Sequence, residues 1–241
     1  TTRLDNVSQI LKKHVVVSGT QEKVDKAGRN SEVAYQTAKR MKEIKTDLEW
    51  AMFDGGGVAG IGNAKVNTDS STPREMGSYQ TYVVTNVSTA GSAATGNGVD
   101  TMTAGVARDF DEALLSTVLE ACYNEGGNPS IMGVSPTNKT VVSGFNGGGT
   151  HFVDKDDKKV INSVDIYVGD WHTLKVVTSR QLANENVVLL DPSMMAYSEL
   201  RGIASYDLAK TGDSIRKSIV MEGTLEVCNE RAHGLIADTN G

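Results

Sequence analysis

Apolar residues recur at helical spacing through Ser31–Phe53, where Met41, Ile44, Leu48 and Ala51/Met52 fall on one stripe. Asn30 or Ser31 stands where a capping oxygen is needed, Glu32 suits the positive end of the helix dipole, and Gly55-Gly56-Gly57 ends the run. At 1.5 Å per residue the spacing predicts a rod of about 34 Å. That would cross most of a compact chain of this length, whose radius of gyration is roughly 18 Å. A second helix is predicted over Asp109–Glu125, with Phe110, Leu114, Val118 and Ala121/Cys122 on one face. Asp109 with Glu112 reads as its capping box, and Gly126-Gly127 before Pro129 as its stop. Ser135-Pro136 opens a third helix, and Thr20 caps a short turn that runs through Lys26 and stops at Gly28.

Strand signals lie between these helices. His14–Val17 is a strand whose β-branched run ends at Gly19, and Tyr79–Val87, Ile131–Val134 and Val187–Leu190 read as further strands. Ser163–Val168 and Thr173–Thr178 alternate around Gly169-Asp170-Trp171-His172, which predicts a hairpin with a four-residue loop. In Ile219–Cys228, Ile219, Met221, Leu225 and Val227 share one face and Val220, Glu222, Thr224 and Glu226 the other. Residues 55–106 differ: they hold ten glycines, and Ser88–Gly98 is nearly low-complexity. They read as a long pliable loop, a candidate for contact between subunits. A few helices and several strands without regular alternation give an α+β fold class.

Composition narrows this picture. The 241 residues make one or two domains, with 39% hydrophobic residues, thirteen aromatics and 25 glycines. Such a chain has long irregular loops or buries surface against copies of itself. No apolar run reaches the roughly 18 residues of a membrane helix, so no membrane partner is expected. Cys122 and Cys228 are too few for a disulfide scaffold. The net charge of −6 is polarised: residues 1–45 carry ten Lys/Arg against five acids, leaving −11 on the rest. Either the chain has an anion-facing side, or its long helix has a solvated basic face.

Candidate chemistry is sparse. Gly55-Gly56-Gly57-Val58-Ala59-Gly60 matches G-x-G-x-x-G, but a helix precedes it and a loop follows, the reverse of the nucleotide-binding context. Asp154, Asp156 and Asp157 resemble a calcium loop but have Lys159 where its glycine belongs. His14, His151, His172 and His233 lack zinc spacing, and Cys122 reads as a core thiol. Asp170-Trp171-His172 is a polar hairpin tip, and Asn6, Asn86 and Asn138 begin formal glycosylation sequons. No catalytic residue, metal ligand or cofactor site is expected.

Blocks spread along the chain carry a resemblance. They are Val17–Arg29, Ser31–Lys39 with Glu43–Glu49, and Phe110–Leu119 with Glu125-Gly-Gly-Asn-Pro129. Then come Val164–Asp170 with Leu174–Val177, Leu190-Asp-Pro192, Leu208–Asp213, Glu222–Val227 and Asn229–Gly234. In this order they resemble the major capsid proteins of tailed bacteriophages with the Hong Kong 97-like shell fold. The resemblance implies a non-enzymatic virion protein that assembles in the host bacterial cytoplasm. Its hexamers and pentamers would form an icosahedral shell around double-stranded DNA, with portal and possible cement or scaffolding proteins as partners. It also implies a spine helix at 31–53 and an extended loop whose remainder, with a lead-in strand, fills 1–30. The peripheral domain would span 31–106 and 206–241, and the axial domain 107–205. Such proteins usually carry a further stretch before that strand, so Thr1 falls inside the extended loop. Lys39, Arg40, Lys42 and Lys45 on the basic face of the spine are expected to look toward the genome. Two alternatives stay open: a nanocompartment (encapsulin-like) shell enclosing proteins, and a soluble oligomeric enzyme binding nucleotide at Gly55–Gly60 or using the 170–172 tip.

Overall fold

The computed structural model describes residues 3–54, 60–67, 72–145 and 165–240. Strand β1 (Gln9–Ser18) turns Val15 and Val17 inward and leaves Lys12, His14 and Val16 exposed. One turn of helix, α1 (Gly19–Lys23), links it to the long helix α2 (Glu32–Phe53). Ser31 is the N-cap, its Oγ accepting from the Ala34 amide. A second cap comes from outside the helix. The Glu22 carboxylate accepts from Ser31 Oγ at 2.7 Å and from the Glu32 and Val33 amides at 2.9 and 3.2 Å. Three donors at one helix start favour the charged form and hold this carboxyl below its ordinary range.

The Tyr79–Val87 run is not a strand. Residues Tyr79–Thr81 make one 3-10 turn, and only Val87–Ser88 (β2) pairs with another strand. The reason is burial. Tyr79 is fully buried, its hydroxyl within 3.0 Å of the Leu189 carbonyl and 2.7 Å of that of Gly234, so the backbone bends to seat the ring. Met76, Val83, Ala94 and Met102 are buried with it. Of the described part of the glycine-rich stretch, residues 76–83 pack inward, while much of 90–106 stays exposed. Its glycines permit close approach: Gly98 has φ 77, and a Cβ there would meet the Tyr82 hydroxyl at 2.4 Å.

Helix α3 (Glu112–Asn124) starts later than the expected Asp109 cap. Asp111 caps it, accepting from the Leu114 amide, while Asp109 accepts from Asn240 and Glu112 from the Tyr167 hydroxyl. Strand β3 (Ile131–Val134) and helix α4 (Pro136–Ser143), capped by Ser135, follow as read from the sequence. Strands β4 (Ile166–Val168) and β5 (Thr173–Thr178) form the expected hairpin, and β6 (Val187–Leu190) matches its run. Strand β7 (Met195–Asp207) was not legible, because exposure along most of it erases the alternation. Strands β8 (Ser214–Val227) and β9 (Gly234–Ile236) complete the chain.

Two sheets result. One has the order β1-β8-β7, all antiparallel, with β1 paired to β8 without a register shift and β7 bulged between Glu199 and Ala204. Ile44 of α2 packs onto Val15, Val17, Ile219 and Met221 of this sheet. The other has the order β2-β9-β6-β3-β5-β4. One of its faces is covered through Leu115, Val118 and Leu119 of α3 and Val142 of α4. The end of α2 (Ala51), Leu225 of β8 and the Tyr79 segment pack against Val188 and Leu235 on the other face. Residues 195–205 lie in the sheet that α2 covers, while β2 and β9 lie in the sheet that α3 covers.

Candidate assembly surfaces

Helix α2 exposes Lys39, Lys42 and Lys45, three residues apart along its solvent side. From the first to the third is about 9 Å of helix rise. None of the three pairs with a described acid. Arg40 differs: it is half-buried and sits 2.5 Å from Glu43, holding that carboxyl below its ordinary range. The four expected basic residues thus divide into three free cations and one engaged in the fold. Other charges of the basic first fifth are also spent internally. Lys13 pairs with Asp47 at 2.6 Å, and Arg29 pairs with Glu32 and lies 4.4 Å over the Tyr35 ring. Net charge by segment overstates what the surface presents.

Glu222 is a site that sequence reading missed. Its side chain is 5% exposed and accepts from Arg74 and Arg201, each at 2.7 Å, and from Ser8. Burial opposes its charge, but Arg201, Arg74 and Ser8 outweigh that and hold its pKa below the ordinary value. The cluster straps the segments at Ser8 and Arg74 to β8 and adds a cross-strand pair with Arg201 of β7. The polar face of β8 was visible, but its partners lie at distances in sequence that no local signal spans.

Asp238 is the one described non-glycine residue with positive φ, at 58. Its carboxylate accepts from the Thr89 hydroxyl and from the amides of Ala90, Gly91 and Gly105. Burial raises its pKa, the four donors lower it by more, and the net shift is downward. His233 is fully buried. Its Nδ1 accepts from the Asp191 amide, which leaves the proton on Nε2, facing the Met194 carbonyl at 3.4 Å. Burial holds its pKa below the usual histidine value. These groups organise backbone; they do not converge on an open cavity.

The 170–172 tip is docked, not free. Trp171 packs on Tyr123 with ring centroids 5.1 Å apart, and buried His172 contacts the same ring and Asn128. Cys122 is buried, and burial pushes its thiol up to about 12, so it is an unreactive core thiol. The side-chain amides of Asn86 and Asn138 are buried donors to backbone carbonyls, which closes both sequons to modification. Residues Gly55–Ala59 of the glycine motif, His151, and the aspartates at 154, 156 and 157 lie outside the described residues. Among the described residues no group of three or more His, Cys, Asp and Glu is placed to hold a metal ion. None of the described helices is long and apolar enough to cross a membrane. One groove, of about 870 Å³, is open and of mixed polarity, lined by Arg3, Asn6, Tyr82, Thr224, Cys228 and Arg231.

Large apolar side chains stand exposed on both sheets, among them Val16, Leu200 and Tyr206 on one and Ile166 and Val168 on the other. Such surface suits docking, not catalysis. Comparison with known proteins agrees. The model of a family described as SU10 major capsid protein matches residues 1–240. The major capsid protein of Escherichia phage Phieco32 is 26% identical over 270 aligned positions, covering 98% of this chain and 76% of the relative. Three solved structures share the fold. An encapsulin from Synechococcus elongatus aligns with TM-score 0.59 at 10% identity, over 97% of this chain and 74% of its own. The major capsid protein of phage G gives 0.56 at 11%, over 95% and 71%. A chain from Mycobacterium phage Bobi gives 0.56 at 15%, over 98% and 73%.

Proposed function

Because this chain belongs to the SU10 major capsid protein family, we propose a specific way in which it builds its shell. It is a phage major capsid protein with the Hong Kong 97-like fold, a structural component that associates with copies of itself. In the proposed assembly it forms hexamers and pentamers of an icosahedral shell. That shell encloses double-stranded DNA, is assembled in the host cytoplasm, and takes a portal and possible cement or scaffolding proteins as partners. The peripheral domain, 31–106 with 206–241, carries the spine α2, and the axial domain, 107–205, carries α3, α4 and β3–β6. A protein-filled nanocompartment shares the fold, but the family match favours the phage shell.

The observation that carries the genome-facing part is the stripe of Lys39, Lys42 and Lys45 on the solvent side of the spine, without an acid partner among the described residues. Three lysines in register meet a polyanion without base contacts, and each neutralised phosphate adds about 0.9 to the salt dependence of binding. Arg40, engaged with Glu43, contributes little. The test is the triple substitution of Lys39, Lys42 and Lys45 by glutamate. Shells should still form, with DNA packaging sharply reduced. Intact shells that package as before overturn the inward-facing assignment.

A further inference from the structure

The six-stranded sheet is covered unevenly. On one face Met132, Val134, Leu174, Val176, Val187 and Leu189 are buried with α3 and α4. On the other, the β9–β6 half buries Leu235 and Val188 against the Tyr79 segment. The β3–β5–β4 half of that face is bare: Ile166 is 63% exposed, Val168 72% and Val177 42%, with Ile131 beside them. In the middle stands Lys175, in register with Ile131 on one side and Ile166 on the other. It is exposed and pairs with no described acid. A single cation ringed by branched apolar side chains calls for a partner with one carboxylate among small uncharged residues.

Among the described helices, one offers that surface. Along the solvent side of α3, Ala113, Thr117, Glu120 and Asn124 are exposed at helical spacing, and Glu120 has no partner among the described residues. The other helices do not qualify. The acids of α2 are engaged: Glu32 with Arg29, Glu43 with Arg40, Asp47 with Lys13 and Glu49 with Ser179. Helix α4 has no acid, and the free charges of α2 are lysines. The bare sheet half and the outer side of α3 are also the two opposite outsides of one helix-on-sheet layer. Stacking the front of one copy on the back of the next is a heterologous contact, the kind that builds a ring when the rotation between copies closes.

We infer that the bare β3–β5–β4 face of one subunit packs on α3 of its neighbour within the capsomer, with Lys175 paired to Glu120 across the contact. This rests on the shell reading above and names the surfaces that reading leaves open. Opposite charges at the centre of an apolar contact fix register and reject mismatched faces.

Charge reversal tests it in the full protein. K175E and E120K should each fold, with unchanged circular dichroism and melting, because both side chains are exposed. Each should lose the particle fraction in size exclusion and electron microscopy. The double variant K175E/E120K, with the pair reversed, should recover it. Singles that assemble like wild type overturn the pairing. A double variant that folds but stays unassembled overturns it too, and assigns the bare face to another part of the neighbour or to a cement protein. Wild-type protein that forms no particles overturns the shell reading itself.

Discussion

Asp238 shows how one side chain organises a region that reads as a pliable loop in the sequence. Its carboxylate gathers four donors from Thr89–Gly91 and Gly105 while its own backbone takes a left-handed turn. Asparagine tolerates that backbone but lacks the charge. D238N should therefore cost about 1–3 kcal/mol of stability, read as a lower denaturant midpoint. The pH dependence has a definite sign. Asp238 has a native pKa below its unfolded value, so its contribution is complete above the ordinary carboxylate range. It is lost as pH falls through that range and then through the lower native pKa. D238N should accordingly flatten the acid side of a melting-temperature profile. His233 acts at milder acidity. The fold holds it neutral, so stability should begin to fall as pH drops below about 6.5, the unfolded histidine value, in melts of dispersed subunits. Neither residue was identifiable from its neighbours in sequence. The turn at 238 and the loop near 90 are 148 residues apart between Ala90 and Asp238.

At the scale of elements, legibility followed burial pattern. The spine helix was readable because its cap, its stripe and its stop are all local, and Ser31 caps it as the sequence indicates. The second cap, Glu22, was not readable, because it depends on how α1 folds back. E22A should lower the denaturant midpoint, as the loss of a helix cap does. S31A should lower it too. The two together should fall short of the sum, since Ser31 donates to Glu22. Strands β3, β5, β6 and β8 were legible from alternation or from short buried runs. Strand β7 was missed because both its faces are largely exposed, and Tyr79–Val87 was misread because aromatic and β-branched residues there serve core filling instead of pairing. The glycine-rich stretch looked pliable for the same reason: glycine content reports permitted conformations, and here they are used for close packing. G98A would place a methyl group against the Tyr82 hydroxyl at a left-handed position. It should lower the melting temperature, at a cost of at least about 1 kcal/mol.

For the whole molecule, the polarised charge needed the structure to become interpretable. Ten basic residues in the first 45 suggested a broad anion-facing side. Internal pairs absorb Lys13, Lys26, Arg29 and Arg40, and the other six divide among Arg3 ahead of β1, Lys12 on β1, Lys23 on α1 and the three lysines of α2. What is left on α2 is a narrow stripe of three lysines. The modest apolar fraction also takes on a structural meaning, since the chain leaves half of one sheet face and much of β7 uncovered. Neither bare surface could be read from the sequence, because exposure depends on which elements the fold brings over each sheet. The fold family was legible through collinear blocks, whereas the placement of 195–205 and of β9 depended on strand pairing across the chain. The most direct test of the central claim is the native mass of the purified full-length protein, with electron microscopy of the same sample. Closed shells built from rings of five and six subunits are the expected result. A homogeneous monomer or dimer under all solution conditions would contradict it.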